Sequence, residues 1–296
     1  MFNWNDLESF LMLSRHRKLN FTSKTLKIEP TTISRRIFRL EKKLGTKLFY
    51  RSNNLYVLSD DGQRLLLHAE KIESEIFAIN EIFFNKNINL IGKVRISIPE
   101  GLGIQIFTKY LKSFYDKYKD LEIELLADTK SRSLSNREID ISVTLSRPTT
   151  GRLISKKLAD YKLQLFGSDD YLKKHSCINS INDLSKHNFI SYVDDLIDFP
   201  ELKYLQESYK SAKIVFRSNS LQAQLNAVKQ GVGIALLHNF IAKNENNLRI
   251  ILKDEIQISR EYWIVVHEDL IKLKRIRVVL DFINEVMIEE KSNLKL

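Results

Sequence analysis

Twelve Lys and Arg side chains fall between Arg15 and Arg51, against only Glu29 and Glu41 in the same stretch. The formal net charge of the 296-residue chain is +10, so the other 35 basic and 35 acidic residues cancel and the whole excess lies in this short segment. Cations concentrated in this way suit phosphate, because each phosphate neutralised releases condensed counterions. A basic face that is merely solvated is the alternative, and charge alone does not separate the two.

Catalytic chemistry has no comparable foothold. Six histidines occur without H-E-x-x-H spacing, and there is no C-x-x-C, G-x-S-x-G or P-loop pattern. The pairs Gly101/Gly103 and Gly231/Gly233 lack the third glycine of a dinucleotide site, and the second precedes a strand pattern rather than a helix. A chain that is not an enzyme and carries no cofactor or metal is expected. The single cysteine, Cys177, cannot form an internal disulfide and is expected to be structurally quiet. No charged-then-apolar leader and no run of ~18 apolar residues occurs, so a cytoplasmic protein without membrane association is expected.

The basic segment must be held by helices. Leu7, Phe10, Leu11 and Leu13 form an apolar stripe on a first helix over residues 6–16, with Asp6 as its expected cap. Asn20 is the expected cap of a short second helix ending at Leu26. A third helix opens at Pro30, where a missing N–H costs nothing, and stops at Gly45. Ile33, Ile37, Leu40 and Leu44 give it a core face, leaving Thr31, Ser34, Arg35, Phe38 and Lys42 pointing elsewhere. Residues 47–51 and 55–58 read as two short strands of a wing.

Ser59 then caps a long helix with Asp60 and Asp61 in its first turn, favourable against the helix dipole. Along it Leu65, Ala69, Ile72, Ile76, Ile79 and Phe83 alternate four and three residues apart. Such a heptad seam predicts dimerisation through a partner helix, the alternative being packing on its own chain. From Gly92 onward strands and helices alternate, as in an α/β sandwich whose ligands bind beyond the carboxyl ends of parallel strands. Strands are expected at Val94–Ile98, 139–143, 163–166, 214–217, 233–237 and 262–266, with helices at 104–118, 170–175, 221–230 and 270–289.

Several of these stretches resemble LysR-type transcriptional regulators. Asn5-Asp6-Leu7-Glu8-Ser9-Phe10-Leu11 resembles the family's opening, and Thr32-Ile33-Ser34-Arg35-Arg36-Ile37 with Leu40-Glu41-Lys42-Lys43-Leu44-Gly45 its recognition helix. Leu48-Phe49-Tyr50-Arg51 and Leu58-Ser59-Asp60-Asp61-Gly62 continue the match. Pro99-Glu100-Gly101-Leu102-Gly103, Asn219-Ser220 and residues 231–237 add weaker ones. Lys27, Glu29 and Pro30 stand where the family has a glycine, a small polar cap and a glutamine, and Phe21 where it favours alanine. Pro30 cannot bond a base edge as a glutamine can.

The resemblance implies an α+β multidomain architecture. Residues 1–58 would be a winged helix-turn-helix, 59–91 a dimerising linker helix, and 92–296 a two-lobed α/β effector domain like type 2 periplasmic binding proteins. Lobe I would span about 92–165 and 267–296, and lobe II about 166–266. The implied partners are double-stranded DNA, an unidentified small-molecule effector and further copies in a homodimer or homotetramer, with RNA polymerase admitted as another. The rival class is an enzyme or solute-binding domain with an appended basic module.

In such a module the third helix enters the major groove and the wing holds phosphates. Arg35 is the expected base reader, since its planar fork bonds two acceptors on guanine and no acid lies three or four residues away to claim it. Pro30, Thr31, Thr32, Ser34, Arg36 and Phe38 share that helix, while Lys42, Arg51, Ser52, Asn53 and Asn54 are expected around the backbone. Effector contacts are expected at strand-to-helix turns: Glu100, Gly101, Leu102, Asp128, Thr129, Ser146, Asn219 and Ser220, where backbone N–H groups favour an anion. Ordinary helix capping is the alternative for each.

Overall fold

The computed structural model describes residues 3–53, 55–84, 90–128, 134, 138–149, 151–209 and 211–295. The chain divides into two compact units, residues 1–88 with 135–138 and residues 89–134 with 139–296. The expected sites Asn54 and Thr129 lie outside the described residues.

In the first unit, α1 (Trp4–His16), α2 (Leu19–Leu26) and α3 (Pro30–Leu44) precede the antiparallel strands β1 (Phe49–Ser52) and β2 (Leu55–Leu58) and the helix α4 (Asp60–Phe84). Leu7, Phe10, Leu11 and Leu13 of α1 meet Ile33, Ile37 and Leu40 of α3 and Phe49 of the wing in one core. Asn3, not Asp6, caps α1, accepting from the Asn5 N–H at 3.0 Å, and Asp6 is fully buried inside the helix. Lys18 precedes α2 without a side-chain cap, so Asn20 lies within the helix rather than at its start. Gly45 closes α3 at φ 71°, a left-handed turn that glycine adopts without strain. Leu44, one residue before that turn, is 39% exposed rather than core, because the chain leaves the packed face there.

The Ser59 hydroxyl caps α4, accepting from the Gly62 N–H at 3.0 Å. The expected seam along α4 is divided. Ala69 is fully buried in the first unit's own core and Leu65 packs against that core, whereas Ile72 and Ile79 are 40% and 51% exposed. Ile76 is half-buried, and the Phe83 side chain lies outside those described. Ala69 therefore has no surface left for a partner, because α1 covers the first turns of α4.

The second unit opens with β3 (Gly92–Ile98), α5 (Glu100–Gln105), α6 (Leu111–Lys117), β4 (Leu121–Ala127) and β5 (Ile141–Thr144). The helix expected over 104–118 is broken: α5 ends at Gln105, and a tight 3₁₀ turn over Phe107–Tyr110 leads into α6. Next come β6 (Leu153–Ser168), α7 (Asp169–Lys174), β7 (Asn188–Ser191), α8 (Tyr204–Ser208), β8 (Lys213–Arg217) and α9 (Leu221–Lys229). The chain finishes with β9 (Ala235–His238), α10 (Asn239–Ala242), β10 (Leu248–Ile251), β11 (Gln257–His267), α11 (Lys274–Glu289) and α12 (Lys291–Lys295).

Among the described residues the main sheet runs β10-β6-β11-β5-β3-β4, with β9 also on β6, and β7 pairs β8 separately. β3 is parallel to β4 and β5, but β11 is antiparallel to both β5 and β6, so the sheet is mixed. The two long strands β6 and β11 pair from Gln257↔Gln164 to His267↔Leu153. Lobe boundaries placed at 165 and 266 thus fall in or at the end of continuous strands.

Candidate nucleic-acid interface and effector cleft

Buried carboxylates orient α3. Asp6 is ion-paired with Arg39, whose Nε donates to Oδ2 at 2.8 Å. The Arg36 Nη1 donates to the Ser9 hydroxyl at 3.2 Å, so α3 is strapped to α1 along its polar flank. Glu41 is buried at the foot of α3 and accepts from the Leu48 N–H at 2.9 Å and from Lys47 Nζ at 2.7 Å, which fixes the entry into the wing. Arg15 makes two parallel bonds to Glu73 of α4, at 3.0 and 2.7 Å, with both side chains about nine-tenths buried. The basic segment is therefore not one uniform phosphate-facing surface. Arg15, Arg36, Arg39 and Lys47 are engaged within the unit.

Thr31, Ser34, Arg35, Phe38 and Lys42 are exposed on one side of α3, while Pro30 and Thr32 are half-buried at its start. Arg35 makes no hydrogen bond or ion pair among the described residues, which removes the surface ion pair as its role. On the wing Arg51, Ser52 and Asn53 are exposed; the Arg51 guanidinium lies 5.7 Å from the Tyr56 ring centre. Asn53 turns the wing at φ 45°, a conformation asparagine tolerates better than most residues. A hollow of about 380 Å³ separates α3 from the wing, walled by Ser34, Phe38, Tyr50 and Arg51.

In the second unit, Glu100, Asp128, Asn219 and Ser220 are brought together around a cavity of about 350 Å³. The Glu100 carboxylate bonds the start of α9 at its wall, accepting from the Ser220 hydroxyl at 2.7 Å and from the Leu221 N–H at 2.6 Å. The first turn of α9 already holds an anion, and that anion is the protein's own. Gly101 lies outside the cavity wall because α5 and α9 approach too closely there for a side chain: an added Cβ would meet Leu221 Cδ2 at 2.7 Å and Ile241 Cδ1 at 2.9 Å. Leu102 is buried core rather than a contact residue. Ser146 does not line the cavity; its carbonyl accepts from the Thr144 hydroxyl at 2.7 Å.

Sequence reasoning missed Ala127, Asp195, Leu196 and Asp198, which complete the wall. Asp195 and Leu196 follow β7 on a short 3₁₀ turn with Asp198 just beyond it, and the signal in the sequence was a cluster of acids with no periodicity. Behind the same segment, Tyr192 packs edge-on to Tyr204, and Tyr161 stacks on Tyr262 at 4.1 Å and on His238 at 5.0 Å. Burial pushes the pKa of all four phenols up, and it pushes His238 down to about 3, so each of the five is held neutral.

Residues 4–63 match the family model described as bacterial regulatory helix-turn-helix protein, lysR family, and residues 89–288 match that for the LysR substrate binding domain. The probable HTH-type transcriptional regulator LtrA of Klebsiella pneumoniae is 22% identical over 291 residues, covering 95% of this chain and 94% of that one. The HTH-type transcriptional regulator CrgA of Neisseria meningitidis is 23% identical over 304 residues, covering 98% of each chain. Among solved structures, the Vibrio cholerae virulence activator AphB superposes with TM-score 0.58 at 22% identity, covering 95% of this chain and 98% of that one. LysG of Corynebacterium glutamicum with bound effector Arg does so with TM-score 0.68 at 15% identity, covering 97% and 99%.

Proposed function

The chain belongs to the LysR family of bacterial regulatory helix-turn-helix proteins, and on that premise we propose that it is a sequence-specific DNA-binding transcriptional regulator whose activity is set by a small molecule in the cleft of its second unit. The observation that carries the reading is the face of α3. Thr31, Ser34, Arg35, Phe38 and Lys42 stand exposed without an acid among them, while Asp6, Glu41 and Glu73 turn inward. α3 lies in the major groove, with Arg35 on a guanine edge, and Lys42 and the wing residues Arg51, Ser52 and Asn53 grip phosphates. The exposed Ile72 and Ile79 of α4 support a homodimer through that helix, with tetramers and RNA polymerase as further associations in the cytoplasm.

The effector sits between Glu100, Asp128, Asp195, Asp198 and the start of α9. A ligand carboxylate at Ser220 has to displace Glu100, so the favoured ligand leaves that bond in place or brings a cation to it.

Selection of bound fragments from the source genome tests the reading. A dimer recovers an imperfect palindrome with half-sites about 34 Å apart, bound with an affinity that falls steeply with salt. No bound fragment at low salt removes it. For the cleft, a panel of amines, amino acids and organic acids is read by thermal unfolding, since a ligand of the folded state raises its melting temperature.

A further inference from the structure

Phe38 is 62% exposed, more than any other large apolar side chain of α3. A single exposed apolar residue means little by itself; its setting here is what matters. At about 100° per residue Phe38 falls between Ser34 and Arg35 around the helix, in the middle of the outward arc, with Lys42 one turn further on. The ring stands between two hollows. One, of about 380 Å³, opens toward Tyr50 and Arg51 of the wing, and the other, also about 380 Å³, toward Gly45 and Thr46 at the end of α3.

The cationic flanks select a polyanion as occupant, and a phenyl group gains only by covering another apolar group. In the major groove that group is the C5-methyl of thymine, since the base edges otherwise present hydrogen-bond donors and acceptors. We propose that Phe38 reads thymine through this methyl group, beside the base bonded by Arg35. Three residues of helix advance about 4.5 Å, against roughly 3.4 Å per base pair, so the methyl lies one or two base pairs away. The assignment rests on the DNA-binding role proposed for α3 and adds the base type that the position selects.

The test uses the full chain and the operator recovered from genomic DNA, with each thymine replaced in turn by deoxyuridine, which loses the methyl and keeps the O4 acceptor. One or two replacements lower wild-type affinity about four-fold, the worth of one buried methyl group. Phe38→Ala binds thymine and uracil duplexes equally at those positions, and Phe38→Leu retains part of the discrimination. Circular dichroism of both variants matches wild type, because the side chain is outside the core. Operator binding with no methyl-dependent position overturns the assignment alone, as does an equal loss by Phe38→Ala on operator and random DNA, or no loss at all. Failure of the wild type to bind any fragment overturns the DNA-binding reading and the assignment with it.

Discussion

Around α3, buried charge is kept and paired: Asp6 with Arg39, Glu41 with Lys47, Glu73 with Arg15. Beside the cleft of the second unit stand buried groups that are titratable yet neutral, namely Tyr161, Tyr192, Tyr204, Tyr262 and His238, while carboxylates stand at the cavity wall. The contrast follows the two tasks. A surface for phosphates has to be freed of acids, and burying them against arginines does so while fixing the helices. A cavity for a small ligand needs charge it can expose and a wall that does not change state at neutral pH. Removing one charge should therefore damage the first unit most, and shifting pH should act through the second.

The largest effect is expected at the Arg15–Glu73 pair. Glu73→Ala leaves Arg15 buried with its Nε already lacking an acceptor, at a cost of about 3–5 kcal/mol in denaturant unfolding of the full chain. The pair Arg15→Met with Glu73→Leu should regain most of this, since apolar replacements of a buried ion pair are often neutral. If Glu73→Ala costs less than 1 kcal/mol, the pairing is not a strut.

Acid should find His238. Its pKa is near 6.5 in an unfolded chain and about 3 when folded, with burial as the cause. Above pH 6.5 both states hold it neutral; as the pH falls toward 3 only the unfolded state takes up the proton. Its contribution to stability is thus lost at about 1.4 kcal/mol per pH unit, roughly 2–3 kcal/mol by pH 4.5. His238→Leu should flatten the acid limb of a stability-versus-pH curve, and an unchanged slope would assign that limb to other groups.

On DNA, Arg35→Ala should cost about 1–3 kcal/mol at the operator and relax one base position. Arg51→Ala should weaken operator and random duplex alike and reduce the salt slope. Equal behaviour of the two variants in anisotropy titrations would erase the distinction between base reader and phosphate contact.

The smallest effect is expected at the cleft. Glu100→Gln replaces a charged acceptor by a neutral one at Ser220 and Leu221, worth about 1 kcal/mol. Hydrogen exchange at the Leu221 amide should quicken about five-fold, and an unchanged rate would mean that the bond does not tie α5 to the start of α9.

Legibility of the sequence followed the range of the interaction. Ile33, Ile37 and Leu40 were readable as core because helical spacing is local, and so was the outward face that contains Arg35 and Phe38. The strand β4 was missed although Leu121, Ile123 and Leu125 alternate with Glu122 and Glu124 as a half-buried strand should; the two glutamates pair with Lys93 and Arg95 of the neighbouring strand. Only residues 163–166 of the sixteen-residue β6 were anticipated, because its first half is polar and is extended by pairing with β11. The α4 stripe was legible as apolar, but not that α1 takes its first part.

The sequence by itself determined the family, the elements of the first unit, the basic segment and the composition of the α3 face, because each depends on residue type and on spacings of a few residues. Tertiary structure alone decided which charges are spent inside. Asp6 and Arg39, Arg15 and Glu73, and Glu100 and Ser220 lie 33, 58 and 120 residues apart. No local periodicity couples positions so distant. They meet because apolar burial brings their elements together, and the cost of leaving a buried charge unpaired then selects the partner.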